Sequence, residues 1–295
     1  MLLTRYIMLG LGRVLGAGVS GLFIAICSCG GSAFSVGPAD SGGADLALAG
    51  DAAPEDAKPT GDVANWCGTQ GTHTFCEDFS EGVSGQLMSG TTPGATLVLD
   101  TTTFPPGAHP AQSMAATTPA LVNLGDSAAA VGTIGFPDED GSHDVLEANL
   151  DIASSCFDHG DKDGVTVLAL SFVEHYLLAV VVESDEAELL EVTLGLDGGV
   201  SNAAVHLFST TIPLDKWGTV NLDANLGAGT ADVSQTATVK VNDLVVLSGE
   251  KLSLVPVLGA HHPTLGLGAS VKDDVSISAG CKVNVDQVLL DINLM

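Results

Sequence analysis

The residues with the most chemical potential form one short acidic phrase, Glu183-Ser184-Asp185-Glu186-Ala187-Glu188, which spells E-x-D-x-x-E. Two carboxyls held on one strand face can divide the work of a nucleophile and a general acid. For bond cleavage with retention they must stand about 5–5.5 Å apart. The positions between them should then be apolar and face the other way. Here they are Ser184, Glu186 and Ala187. The phrase also sits between two apolar runs, where a solvated turn belongs. A hairpin tip is the expectation, so no catalytic residue is assigned, and Glu183, Asp185 and Glu188 stand as the alternative.

Two further acidic stretches invite a metal. Asp158, Asp161 and Asp163, followed by Gly164, resemble a fragment of a calcium loop, but the closing bidentate Glu of the twelve-residue pattern is missing. PDEDGSHD (137–144) is similar. Solvated turns are expected at both, so no cofactor is assigned and structural calcium is left open. His261-His262 has no partner at ligand spacing. Neither a nucleophile elbow, a phosphate loop nor a dinucleotide fingerprint occurs. Aromatics are only 4%, so stacking platforms for sugar rings are scarce. Trp217 is expected in the core and Trp66 beside Cys67. Tyr176 is the one tyrosine beyond residue 6.

Four cysteines follow residue 66: Cys67, Cys76, Cys156 and Cys281. In an exported chain, pairing is the default. Three connectivities are possible. The favoured one joins Cys67 to Cys76 and Cys156 to Cys281. Without a close CxxC pair, a zinc site is not expected.

The elements that must position these residues read as strands. Apolar runs of five to ten residues recur after residue 66, broken by Gly, Pro, Asp and Asn. In DVLEANLDI (144–152), Val145, Glu147, Asn149 and Asp151 oppose Leu146, Ala148, Leu150 and Ile152. That is the period-two pattern of a half-buried strand. YLLAVVV (176–182) is nearly continuous and predicts a strand covered on both sides. Asn242-Asp243 between TVKV and LVVL predicts a tight hairpin. About a dozen such strands predict an all-β sandwich or barrel over residues 65–295.

The chain before this domain has a different character. Arg5 and Arg13 precede a Gly-rich apolar stretch (14–27) that is too short for a secure membrane span and suits a signal peptide over 1–28. Residues 29–64, rich in Gly, Ala, Asp and Pro, read as a flexible linker. Of nine basic residues two lie in the leader, against 36 acidic residues beyond it. Such a surface repels phosphate backbones, so nucleic acid is excluded as a partner.

Two resemblances sharpen these expectations. Ile26-Cys27-Ser28-Cys29 resembles the bacterial lipobox. That implies lipidation at Cys29, and a membrane partner through the lipid anchor. With Gly30 next, it implies a place on the outer membrane or cell surface. FCEDFSEG (75–82), the order LDKW (214–217)–GTVNLDANL–TATVKVNDLVVLSGEKL, and LGLGAS (265–270) with CKVNVDQVLLDI (281–292) together resemble the concanavalin A-like lectin/glucanase superfamily, laminin-G-like domains included. Asp243-Leu244 stands where that family usually has Asp-Gly. The resemblance implies a jelly roll of two antiparallel sheets. It also implies, for the alternative, a laminarinase-type glycoside hydrolase with Glu183 as nucleophile, Asp185 as modulator and Glu188 as general acid. The principal expectation is a surface-displayed lipoprotein, non-enzymatic, that binds a glycan or an envelope protein. A purely structural envelope role is a third possibility.

Overall fold

The computed structural model describes residues 66–80, 83, 87–108, 111–121, 127–136, 143–157, 164–173, 176–184, 186–194, 200–208, 210–226, 235–255, 263–272 and 280–293. The calcium-like triplet Asp158, Asp161 and Asp163, together with Asp185, His261, His262 and Cys29, lies outside them.

Fifteen strands build two antiparallel sheets among these residues. In chain order they are β1 (Phe75–Glu77), β2 (Met88–Thr91), β3 (Thr96–Asp100), β4 (Ser113–Thr117), β5 (Ser127–Gly135), β6 (His143–Ile152), β7 (Val165–Val173) and β8 (Tyr176–Val182). They continue as β9 (Ala187–Leu194), β10 (Val200–Leu207), β11 (Gly218–Asn225), β12 (Thr236–Val241), β13 (Leu244–Lys251), β14 (Thr264–Lys272) and β15 (Lys282–Asn293). The first sheet runs β13-β12-β11-β6-β15-β4-β3, with β1 also on β15; the second runs β10-β9-β8-β7-β14-β5-β2. This is the expected jelly-roll sandwich.

The alternating sequences form the first sheet because only one of its faces meets the core. Burial along β6, β11 and β12 switches at every residue. Leu146, Leu150, Ile152, Val220, Leu222 and Val239 point inward and are 0–1% exposed. They pack in one core with Leu168, Leu170, Phe172, Leu178, Val180 and Leu265 from the second sheet. Burying each such side chain contributes roughly 1.5–3 kcal/mol before chain entropy is charged against it. The second sheet is buried differently. β8 is buried at all seven positions, as its unbroken apolar run predicts. A second apolar cluster, including Leu177, Val181, Leu190 and Val192, occupies this sheet's outward face.

Asn242 and Asp243 both have positive φ, 49° and 63°, and close the β12–β13 hairpin at the expected place. Both favoured disulfides are present, Cys67–Cys76 and Cys156–Cys281. The second ties a 3-10 turn, Ser154–Phe157, to the residue before β15. One short element is added and one expectation changes. A five-residue helix, α1 (Trp66–Gln70), precedes β1, held by Cys67. Trp217 is only half-buried, because it stands on the approach to β11 rather than within a strand facing the core. Among the described residues no helix is long and apolar enough to cross a membrane.

Candidate functional site on the outward face of the first sheet

Titratable side chains concentrate where β6 shows its outward edge. Strand alternation sends His143, Val145, Glu147, Asn149 and Asp151 away from the core, two residues apart. The strands on either side add their own outward residues by register. Asn221 of β11 stands opposite Glu147, Asp223 opposite Val145 and Thr219 opposite Asn149. On the other flank, β15 sets Leu289 opposite Glu147, Asp291 opposite Val145 and Asp286 opposite Asn149. Lys240 of β12 extends the Glu147 row beyond Asn221.

Hydrogen bonds order this surface. Asn221 Nδ2 donates to Glu147 Oε2 at 3.3 Å. Thr219 Oγ1 donates to Asn149 Oδ1, and Asn149 Nδ2 donates to Gln287 Oε1, each at 2.5 Å. Gln287 is an extra residue in β15 with φ 51°, where pairing with β6 shifts between Asp286 and Leu289. That bulge aims the Gln287 amide at Asn149. A polar cluster continues along β15: Lys282 Nζ pairs with Asp100 Oδ2 at 2.7 Å, and Asn284 donates to the same oxygen and to Ser113 Oγ. Burial alone would push the Asp100 carboxyl up, but the donors Lys282, Thr102 and Asn284 overcome it and hold it well below the usual range.

Two histidine–carboxylate pairs flank Val145. His143 Nε2 lies 2.7 Å from Asp223 Oδ1, and both side chains are a third or more exposed. His73 Nδ1 lies 2.9 Å from Asp291 Oδ2, while its Nε2 meets the Gln70 carbonyl at 3.0 Å. The Asp291 hydrogen bond raises the His73 pKa, with the Gln70 carbonyl and Glu147 adding to it. Asp291 also accepts the Thr74 N–H. Both ring nitrogens of His73 are thus committed to fastening the entrance segment onto β15.

Other strongly perturbed groups are buried. Asp286 is 1% exposed, and burial with Asp78 and Glu77 nearby pushes its carboxyl up to about 7. Glu191, on the inward side of β9, is fully buried. It accepts from Tyr176 Oη at 3.1 Å, His206 Nε2 at 3.4 Å and the Ser253 N–H at 3.0 Å. The Leu254 N–H and the Ser253 hydroxyl complete its shell. These donors outweigh burial and hold Glu191 low, while Glu191 in turn raises His206. This knot ties the chain just past β13 to the second sheet.

The acidic phrase met in the sequence is a turn. Glu183 N–H donates to Glu186 O at 2.8 Å, between β8 and β9. Glu188 lies in β9, only 9% exposed, and burial followed by Glu186 pushes its carboxyl up to about 7. Glu183 lies in the turn and Glu188 inside a buried strand, so the two do not share an exposed strand face. The fold instead assembles Glu147, Asn149, Asn221, Asp223 and His143. Glu147, Asn149 and Asp151 were visible as one face of a strand, but their partners depend on a register the sequence does not spell out. Among the described residues no group of three or more His, Cys, Asp or Glu side chains is arranged to hold a metal ion.

No protein-family model matches the chain, and no curated protein sequence matches it. Solved structures do. The endo-β-1,4-glucuronan lyase from the fungus Trichoderma reesei superposes with a TM-score of 0.58 at 10% identity, covering 75% of this chain and 96% of that one. The marine PL-14 alginate lyase from Aplysia kurodai gives 0.54 at 8% identity, covering 75% of this chain and all of the other. At such identity the likeness establishes the fold. It also corrects the expectation of a non-enzymatic binding or adhesion module. The neighbours on this architecture are polysaccharide-cleaving enzymes, which fit the glycan-degrading alternative. The expectation rested on reading Glu183–Glu188 as a hairpin tip and on the absence of a catalytic motif, whereas the polar surface on β6, β11 and β15 is assembled from residues far apart in the sequence.

Proposed function

We propose that this chain is a glycan-degrading enzyme that lays a polysaccharide across the outward face of its first sheet. The observation that carries this reading is the ordered polar surface centred on Glu147, set on a jelly roll whose solved neighbours cleave polysaccharides. Fixed amides and carboxylates at strand spacing suit a ligand dense in hydroxyls. The leader and Cys29 support export and lipid anchoring at the outer membrane or cell surface, with residues 29–64 as tether. The test is incubation of purified protein with a panel of charged and neutral polysaccharides, reading new chain ends. New ends on at least one polymer are expected. No cleavage of any polymer overturns the reading. Mass spectrometry of the mature amino terminus tests the anchor: a diacylated Cys29 is expected, and an unmodified one removes it.

A further inference from the structure

We propose that His73 is a proton-dependent clasp on α1, so that the joint through which the chain enters the domain is fastened when the imidazole is charged and loosened when it is neutral. This goes beyond the glycan-degrading reading and does not depend on it.

The bonding partners come first. His73 Nδ1 lies 2.9 Å from Asp291 Oδ2, and its Nε2 lies 3.0 Å from the Gln70 carbonyl oxygen. A carbonyl only accepts, and so does an ionised carboxylate. Asp291 accepts the Thr74 N–H on its other oxygen. Making both contacts therefore requires both ring nitrogens to donate, and only the imidazolium carries two N–H groups. The neutral ring has one. It keeps the stronger, charge-assisted bond to the carboxylate. Its Nε2 lone pair then faces the Gln70 carbonyl, and that oxygen must turn away.

What α1 loses follows from its makeup. Gln70 is the last residue of this helix, which has no buried side chain and no basic residue in its last turn. Gly71 follows with φ 93°, in the left-handed region where helices commonly end. That turn returns the chain so that His73 meets the helix's open carbonyl end. The Cys67–Cys76 disulfide and the bond from the Cys67 N–H to Asp78 Oδ2 hold the first turn. Five residues make too few internal hydrogen bonds to persist without such ties. Loss of the His73 bond unwinds the Gln70 end while Cys67 stays stapled.

The charged groups that face His73 are acidic. Asp291 comes from β15 and Glu147 from β6. The Asp291 hydrogen bond is the largest influence on the ring and raises its pKa above the ordinary 6.5; the Gln70 carbonyl and the charges of Asp291 and Glu147 add to it against the penalty of burial. α1 brings no titratable side chain besides the bonded Cys67. Glu77 and Asp78 accept the backbone N–H groups of Phe79 and of Cys67 and Ser80. A histidine with a raised folded pKa contributes its full stability below the unfolded value and loses it as pH rises through the folded one. The clasp is thus closed in acid and opens as pH climbs past 6.5.

α1 carries its own reporter. Trp66 is its first residue, and Trp217 is the one other tryptophan. Trp66 fluorescence is followed in the full chain bearing Trp217→Phe from about pH 5 to about pH 9, across the range where histidine titrates. NMR of the unaltered protein follows the His73 ring and the Cα shifts of Trp66–Gln70 over the same range. A red shift and a loss of anisotropy are expected, in one transition with the midpoint of the His73 ring, above 6.5. The Cα shifts of α1 should leave helical values over that transition, and His73→Gln should abolish it. A His73 midpoint at or below 6.5, α1 shifts that stay helical through the His73 titration, or a transition that persists in His73→Gln overturns the proposal. The NMR arm uses no substitution, so a variant that fails to fold leaves the test decisive.

Discussion

At the scale of single residues, the most consequential buried acid is Asp286. An acid whose folded pKa is raised keeps a proton that the unfolded chain has already released. Between the unfolded value near 4 and the folded value of about 7, stability therefore falls as pH rises. The loss is complete above the folded value and amounts to at most about 4 kcal/mol. Asp286→Asn removes the titration. It is expected to raise the melting temperature at pH 8 more than at pH 5, measured by calorimetry. Equal shifts at both values would sink the assignment. Nothing in the phrase VNVDQVLL announces this, because the burial depends on the bulge at Gln287 and on the acidic segment of Glu77 and Asp78 arriving from the other end of the domain. The same reason hid the pairs His143–Asp223 and His73–Asp291, whose members lie 80 and 218 residues apart. Glu191 was likewise readable only as an acid among apolar neighbours.

At the scale of elements, legibility followed hydrophobic period. β6, β11 and β12 declared themselves by alternation, and β8 by its lack of it. The hairpin at Asn242-Asp243 was written in turn chemistry. β4 and β5 are harder to read, since SMAAT and SAAAVGTIG hold few β-branched residues. β5 is a strand because β14 and β2 pair with it on both sides. That contact is tight. Gly268 of β14 has φ 141°, and a Cβ there would lie 2.2 Å from the Ala130 carbonyl oxygen. Gly268→Ala must push two strand backbones apart and is expected to cost about 2–3 kcal/mol or more in urea denaturation. Gly249→Ala, at φ 55° with open space around it, should cost only about 1–2 kcal/mol. Equal costs at the two sites would contradict the close approach of β14 to β5.

At the scale of the whole molecule, the two sheets are joined by core packing and by the Glu191 knot on one side, while Cys156–Cys281 ties the turn after β6 to the start of its neighbour β15 in the first sheet and closes a loop of 125 residues. Constraining a loop of that length is worth about 4–5 kcal/mol in the chain-entropy account. The Cys156→Ser/Cys281→Ser variant is expected to melt well below the parent. Cys67→Ser/Cys76→Ser, spanning nine residues, should lose less. Calorimetry of both double variants decides the order, and the reverse order would place the main tether at the domain entrance. The sandwich itself was foreseeable from alternating runs and from the ordered family-like phrases. Which outer surface carries the ordered polar cluster was not, because that depends on how fifteen strands are shared between two sheets.

The Glu191 knot gives the sandwich a preferred direction of failure. Parting the sheets between β10 and β13 means stripping every donor from a carboxylate that water does not reach. Large apolar side chains are exposed on both borders, Val205, Leu207, Leu244 and Val245 on the β10–β13 side and Met88, Val98 and Leu99 on the other, so the difference is the knot, which lies away from the β2–β3 border. Thermal breathing should therefore begin there and travel inward like a book opened from its fore-edge, with Glu191 acting as the spine.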